Sequence, residues 1–232
     1  MKVFDTAIIG LGPTGATLAN LLAMQGLSVL ILEREAQAYD LPRAVHFDDE
    51  IMRVFQNIGI ANELLPMVRK NPGMKFVDAE NNLLLDWPRP QDITSQGWNA
   101  SYRLHQPDLE RLLRRKLEAY NLVTLKTSTR ATSIHQTETN AVIRTQTGSA
   151  NSSETFRARY VIGCDGANSQ TRTIIESEID DYGFQERWLV IDLILNKVRP
   201  DLGDHSIQFC WPDRPMTYCR GPGNRRRWEI TL

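Results

Sequence analysis

The sequence predicts an α/β fold in which a βαβ core with a β-meander is interleaved with a second, incomplete antiparallel sheet. Three observations predict it. An apolar run, Val3 to Ile9, passes through Gly10-Leu11-Gly12-Pro13-Thr14-Gly15 into an apolar helical stretch. A second apolar run, Val29-Leu30-Ile31-Leu32, ends on Glu33. After residue 180 the chain becomes strand-like again, with no return of a helical period.

The elements follow in order. Residues 3–9 read as a buried strand, 14–25 as a helix ended by Gly26, and 28–33 as the second strand. Residues 39–44 form a loop. Asp48 is positioned as an N-cap, with Asp49 and Glu50 in the first turn of a helix that reaches about Asn57 and stops at Gly59. A short helix near 61–68 follows. Gly73 to Ala79 alternates like a strand, Glu80-Asn81-Asn82 turns, and Leu83 to Trp87 returns as the hairpin partner. Residues 88–100, rich in Pro, Gly and polar groups, read as a loop. Pro107 opens a helix over 107–119 with the apolar stripe Leu109, Leu112, Leu113 and Leu117. Strands are predicted at 123–126, 130–136, 140–147 and 154–163, and then at 188–196, 206–211, 216–220 and 227–232. These divisions place one domain over 1–72 and 100–180, with an insert at 73–99 and a second sheet at 181–232.

The composition is that of an ordinary globular protein, with 232 residues, 41% of them hydrophobic and 24% charged. A net charge of −1 gives no argument for a nucleic-acid or membrane partner. No apolar run reaches membrane-spanning length, and the chain opens directly into its first strand, so no targeting segment is expected. Cys164, Cys210 and Cys219 are too few and too scattered for a disulfide framework, which points to a reducing cytoplasm.

The glycine turn carries the chemistry. Gly10 permits the tight turn, Gly12 lets a pyrophosphate approach the backbone, and Gly15 allows close packing of helix on strand. The helix that follows aims its unpaired N–H groups and positive dipole end at the phosphates. Glu33 is suited to accept hydrogen bonds from a ribose diol and to repel a 2′-phosphate, which favours FAD or NAD over NADP; Arg34 follows it. The remaining polar clusters get plainer readings. His46 with Asp48, Asp49 and Glu50 is a charged first turn rather than a metal site. Arg225-Arg226-Arg227 reads as a solvated turn before a strand. No Ser/His/Asp arrangement can be argued, and no catalytic residue is identified.

A second motif runs from Tyr160 to Arg172, where a strand ends and a small-residue turn presents Asp165 and Gly166, followed by Ser169 and Arg172. Together with the glycine turn, Pro42-Arg43-Ala44 and Gln106-Pro107-Asp108-Leu109-Glu110, it resembles the FAD-dependent aromatic hydroxylases, or class A flavoprotein monooxygenases. Asp48-Asp49-Glu50, Trp188-Leu189-Val190-Ile191-Asp192 and Arg226-Arg227-Trp228-Glu229 make the chain most similar to the 3-(3-hydroxyphenyl)propionate hydroxylase branch. The resemblance implies a Rossmann-like FAD-binding domain with an interleaved substrate domain. It also implies contacts to FAD from Gly10, Gly12, Pro13, Gly15, Glu33, Arg34, Arg43, Gln106, Asp165, Gly166, Ser169 and Arg172. On the residues alone, Arg43 could be a salt-bridge partner, Gln106 a helix cap, and Arg172 a brace of the turn against Asp165.

The implied activity is hydroxylation of a phenolic aromatic acid with NADH or NADPH and O2 through a flavin C4a-hydroperoxide, in a cytoplasmic enzyme for which a homo-oligomer is open. One family piece has no counterpart: a Gly-Asp pair after the second sheet. Gly203-Asp204 lies inside the strand-rich region, and the chain stops at Leu232 within a predicted strand. A truncated product or a fragment of a longer gene is therefore expected. The alternatives are a non-catalytic nucleotide-binding fragment and a flavin-dependent reductase.

Overall fold

The computed structural model describes residues 2–148 and 152–232. In chain order the elements begin with β1 (Val3–Ile9), α1 (Pro13–Met24), β2 (Val29–Leu32), β3 (His46–Asp48), α2 (Asp49–Ile58) and α3 (Ala61–Leu64). Next come β4 (Arg69–Lys70), β5 (Gly73–Val77), β6 (Leu83–Pro88), β7 (Ser101–Arg103), α4 (Gln106–Leu117), β8 (Val123–Lys126) and β9 (Thr129–Gln136). The chain closes with β10 (Ala141–Thr147), β11 (Ser152–Gly163), α5 (Gln170–Ile174), β12 (Trp188–Ile194), β13 (Ser206–Phe209), β14 (Met216–Arg220) and β15 (Arg225–Thr231). Short 3-10 turns lie at Leu65–Met67 and Pro200–Leu202. Two compact units emerge, one from Met1–Leu41 and Pro107–Asp180, the other from Pro42–Gln106 and Asp181–Leu232.

The first unit is built on a sheet of order β8-β2-β1-β11-β10-β9. β1 runs parallel to β2 and β11, and β2 parallel to β8, while β9, β10 and β11 form an antiparallel meander. The apolar runs become central strands because both faces are covered: every residue of β2 is buried. Phe4, Ala7, Ile9, Leu30 and Leu32 form one buried cluster with Ala131, Ile143 and Ala158 of the meander. Helix α1 buries Gly15, Ala16, Ala19, Asn20 and Ala23, small residues that permit close approach. Asn20 Nδ2 ties it to α4 by donating to the Leu113 carbonyl at 3.1 Å. The stripe Leu109, Leu112, Leu113 and Leu117 is buried as its spacing predicts.

The second unit holds a six-stranded sheet of order β12-β15-β14-β13-β5-β6 and a small sheet β3-β7-β4. The large sheet is antiparallel except where β13 pairs with β5 in parallel. Asp48 caps α2 by accepting from Ile51 N, and Gly59 ends it at φ +83°. The small sheet was not foreseen, because strands of two or three residues carry no readable period. It also explains where the units divide. β7 pairs with both β3 and β4, so 42–72 and 100–106 are held with the second unit, not with the first as the sequence division had placed them. Helix α5 is likewise too short to announce itself. No helix is long and apolar enough to cross a membrane among the described residues.

Candidate functional site

In the first unit the glycine turn lies at the carboxyl ends of parallel strands. Gly10 N donates to Leu32 O at 2.8 Å, and Cys164 N to Ile9 O at 2.7 Å. Gly10 sits at φ +97°, and a Cβ there would lie 2.5 Å from the Cys164 carbonyl oxygen. At Gly15 a Cβ would come within 2.1 Å of Gly10 O. Both glycines are therefore required by the chain itself. Gly12 differs: a Cβ there would meet nothing within 4 Å, and its φ of −73° suits any residue. A side chain at Gly12 would obstruct only what approaches from outside. Gly12 is also the N-cap of α1, with Pro13 in the first turn and no side chain capping the helix. An open approach to an uncapped twelve-residue helix is the arrangement a pyrophosphate needs.

Glu33, at the end of β2, is buried. Its carboxylate accepts from Leu11 N at 2.6 Å and from Glu35 N at 2.8 Å. It therefore fixes the glycine turn directly, a role that sequence spacing did not reveal. The oxygens keep lone pairs for a diol. From the other side Arg114 Nη2 donates to Leu11 O at 3.0 Å and lies 3.7 Å from buried Glu110. The Glu110–Arg114 spacing on a helix was the available signal for this brace. Arg34 turns outward to an exposed ion pair with Glu35 at 3.2 Å. Beyond Glu33 a cavity of about 650 Å³ is lined by Ala36, Gln37, Asp40, Arg111, Arg114 and Thr127 among others.

The Asp165 turn is self-contained. One Asp165 oxygen accepts from the Ser169 hydroxyl, and the other from Thr171 N at 3.0 Å and Thr171 Oγ1 at 3.1 Å. Burial opposes ionisation of Asp165, but these hydrogen bonds outweigh it and hold the carboxyl below its usual range. Ser169 Oγ in turn accepts from Arg172 N at 3.0 Å and so caps α5. Gly166 adopts φ +83°. Arg172 does brace the turn, but its guanidinium donates to the Ala167 carbonyl at 2.7 Å rather than to Asp165. Thr171, missed in the sequence, packs against the strand end: a Cβ on Gly163 would lie 2.7 Å from its own Cβ.

In the second unit Arg43 and Gln106 meet. Gln106, buried at the start of α4, accepts through Oε1 from Arg43 N at 2.9 Å and Ala44 N at 2.6 Å. The basic run 225–227 corrects the sequence reading. It is not a solvated turn but the first part of β15, with Arg226 and Arg227 buried. Arg227 grips Asp192 through Nε at 2.9 Å and Nη2 at 2.8 Å, and it also donates to the carbonyls of Pro42 and Arg43. Burial works against the Arg227 charge, yet Asp192 and Glu229 outweigh it and keep the guanidinium firmly protonated. The missed signal was the opposition of an arginine and an aspartate on neighbouring strands, which only the register Asp192↔Arg227 discloses. Buried Arg103 is held likewise, donating to Asn71 Oδ1 and to the carbonyls of Gly73, Asp204 and Arg220. His46 Nε2 lies 2.6 Å from Ser101 Oγ, and burial, aided by Arg89, pushes its pKa down. Among the described residues no cluster of three His, Cys, Asp or Glu could hold a metal ion.

A glycine turn at the ends of parallel strands, an uncapped helix and a buried acid on the next strand together define a dinucleotide-binding α/β protein. The family model described as FAD binding domain matches residues 3–227, and the chain belongs to that family. The chain is 41% identical over 217 residues to the probable NADH-specific resorcinol 4-hydroxylase of Rhodococcus jostii (strain RHA1), covering 93% of this chain and 40% of that protein. To the 3-(3-hydroxy-phenyl)propionate/3-hydroxycinnamic acid hydroxylase of Paraburkholderia xenovorans (strain LB400) it is 32% identical over 229 residues, covering 98% of this chain and 36% of the relative. The chain thus spans about two fifths of the length of these curated relatives. Among solved structures, p-nitrophenol 4-monooxygenase PnpA from Pseudomonas putida DLL-E4 superposes with a TM-score of 0.86 at 19% identity, covering 99% of this chain and 58% of that one. The flavin-dependent monooxygenase PieE, solved with FAD and substrate, gives 0.85 at 18% identity, covering 99% of this chain and 43% of that one. At those identities the likeness shows the fold alone.

Proposed function

We propose that this chain carries the FAD site of an aromatic-ring monooxygenase that hydroxylates a phenolic substrate with a reduced pyridine nucleotide and O2. Gly12 carries the reading, because its missing side chain serves no need of the chain's own packing. The α1 N-terminus and Gly12 would receive the pyrophosphate, with Gly10, Pro13 and Gly15 shaping the turn. Glu33 would take the ribose hydroxyls, and Arg34 beside it would stay at the rim. Asp165, Gly166, Ser169 and Arg172 would support the pyrophosphate region as a pre-formed turn. Arg43 would supply positive charge toward the cofactor, from a loop that Gln106 holds. The chemistry FAD supplies when bound is two-electron transfer from NADH or NADPH to O2.

The chain's own contribution is to bind, orient and keep water out. In this reading the parallel-sheet unit serves FAD, and the large sheet over 73–99 and 181–232 serves the aromatic ring. The names of the Rhodococcus and Paraburkholderia relatives support a phenolic substrate, and the former supports NADH. Three free thiols support a cytoplasmic setting. The exposed edge strand β6 supports self-association.

Product analysis tests the proposal. With FAD, NADH, O2 and a panel of phenols including resorcinol and 3-(3-hydroxyphenyl)propionate, the expected result is a hydroxylated product formed in proportion to NADH consumed. Steady NADH oxidation with no hydroxylated product from any phenol would contradict it.

A further inference from the structure

One peptide group of the glycine turn has its direction set by a side chain from α4. Gly10 N donates to Leu32 O, Leu11 N donates to the Glu33 carboxylate, and Pro13 has no N–H. Among the described residues, that leaves Gly12 N–H as the turn's one uncommitted donor. The other end of its peptide is committed, because the Leu11 carbonyl accepts from Arg114 Nη2 at 3.0 Å. Every described peptide bond is trans, so this carbonyl and the Gly12 N–H share a plane and point in opposite directions. A carbonyl turned to α4 therefore turns the Gly12 N–H away from α4, on the residue where an added Cβ would meet nothing within 4 Å. Arg114 does this at a cost. Its side chain is 15% exposed, it lies 3.7 Å from buried Glu110 one helical turn earlier, and its Nε is buried with no hydrogen-bond partner among the described residues. A methionine at this position of α4 would carry no such desolvation cost. Arg114, Glu110, Glu33 and the turn all belong to the first unit.

We propose that Arg114 is a positioning residue that holds the Leu11–Gly12 peptide so that Gly12 N–H meets an oxygen of the cofactor pyrophosphate. The inference rests on the reading of the glycine turn as the FAD site, and it adds to that site a residue outside the glycine motif. Glu33 fixes the peptide before Leu11 and Arg114 the one after it, so buried Leu11 is clasped from β2 and from α4. A glycine at position 12 needs such a clasp, because without a Cβ its backbone is loosely restricted and the peptide before it can rotate. An N–H already aimed at its anion spares the ligand the cost of ordering it. The Glu110 carboxylate offsets the guanidinium charge, so Arg114 acts through the direction of the peptide rather than as a free cation near the phosphates.

Two readouts on the full chain test it. The first needs no ligand, because nitrogen-15 relaxation dispersion reports peptide reorientation on the microsecond-to-millisecond scale. Arg114→Met keeps the length of the side chain and removes the donor. It should bring exchange to the Leu11 and Gly12 amides that the parent and Arg114→Lys lack, with the amides of β10 as the distant control. The second is ADP affinity by calorimetry. Arg114→Met should weaken it about tenfold, the worth of one charged hydrogen bond, and Arg114→Lys, which keeps a donor within reach, should restore most of it. Glu110→Gln separates direction from charge. It removes a negative charge beside the turn, so a through-space effect of Arg114 would tighten ADP binding. The clasp predicts weaker binding instead, because Arg114 loses its anchor. Binding that is unchanged or tighter in Glu110→Gln, an unchanged affinity in Arg114→Met, or exchange absent from Gly12 or spread evenly over β10 would overturn the proposal. A parent chain that binds neither ADP nor FAD would refute the functional reading, and the dispersion would still decide whether Arg114 holds the peptide.

Discussion

β2 and β6 are both leucine-rich runs, and both read as strands, yet they end in opposite environments. Every residue of β2 is buried, because β1 and β8 flank it in a sheet whose faces are covered. Every residue of β6 is exposed, Leu83, Leu84, Leu85 and Trp87 included, because it is an edge strand paired only with β5. An apolar run specifies a strand, whereas burial is decided by what lies across it. In the parallel-sheet unit the covering layers come from neighbouring turns of the chain and from α1 and α4. In the other unit, order depends on polar pairs far apart in sequence, such as Arg227 with Asp192 and Arg103 with Asp204.

Substitutions can break that contrast, starting with the largest expected effect. Gly15→Ala forces a Cβ against the Gly10 backbone and should cost about 4 kcal/mol in denaturant unfolding, at the upper end for a single change. A fully tolerated alanine would mean that the turn is not closed as described. Arg103→Met strips the hydrogen bonds from the Gly73, Asp204 and Arg220 carbonyls and should cost about 3 kcal/mol. Hydrogen exchange should localise the loss to 69–103 and 204–227 while β1 and β2 keep their protection, which sharpens the distinction between local and long-range order. Asp165→Asn should cost about 1 kcal/mol near neutral pH, as for a lost cap. The carboxyl is held below its usual range, so its contribution is present above the unfolded carboxylate pKa and fades as pH falls through the folded value. The variant should therefore show a shallower loss of stability on acidification. Leu84→Lys should change stability by no more than about 0.5 kcal/mol and should reduce concentration-dependent association measured by sedimentation.

Much of the parallel-sheet unit was legible in the sequence. Its strands, α1, α4 and the glycine turn carry strong periodic or conformational signals, and the C-termini of α1 and α2 fall at Gly26 and Gly59 as expected. The hairpin at 73–88 and the later strands were legible too. The small sheet, α5 and the division between the units were not, because two- and three-residue strands are set by partners and not by pattern. The conformation of the glycine turn was legible, but the side chains that brace it were not. Glu33 was read from the sequence as a ribose acceptor; that its carboxylate holds Leu11 N was not foreseen. Arg227 was hidden inside a charge run whose usual fate is solvation, and only the strand register with Asp192 reveals it.

Gly12 is proposed to keep its open face for a cofactor. The visible spectrum of the purified chain after incubation with FAD and desalting tests it most directly, with Gly12→Val as the partner sample. The account predicts a retained flavin spectrum for the parent chain, and a colourless Gly12→Val protein with an unchanged Tm. Equal flavin retention by both proteins, or none by either, would contradict it.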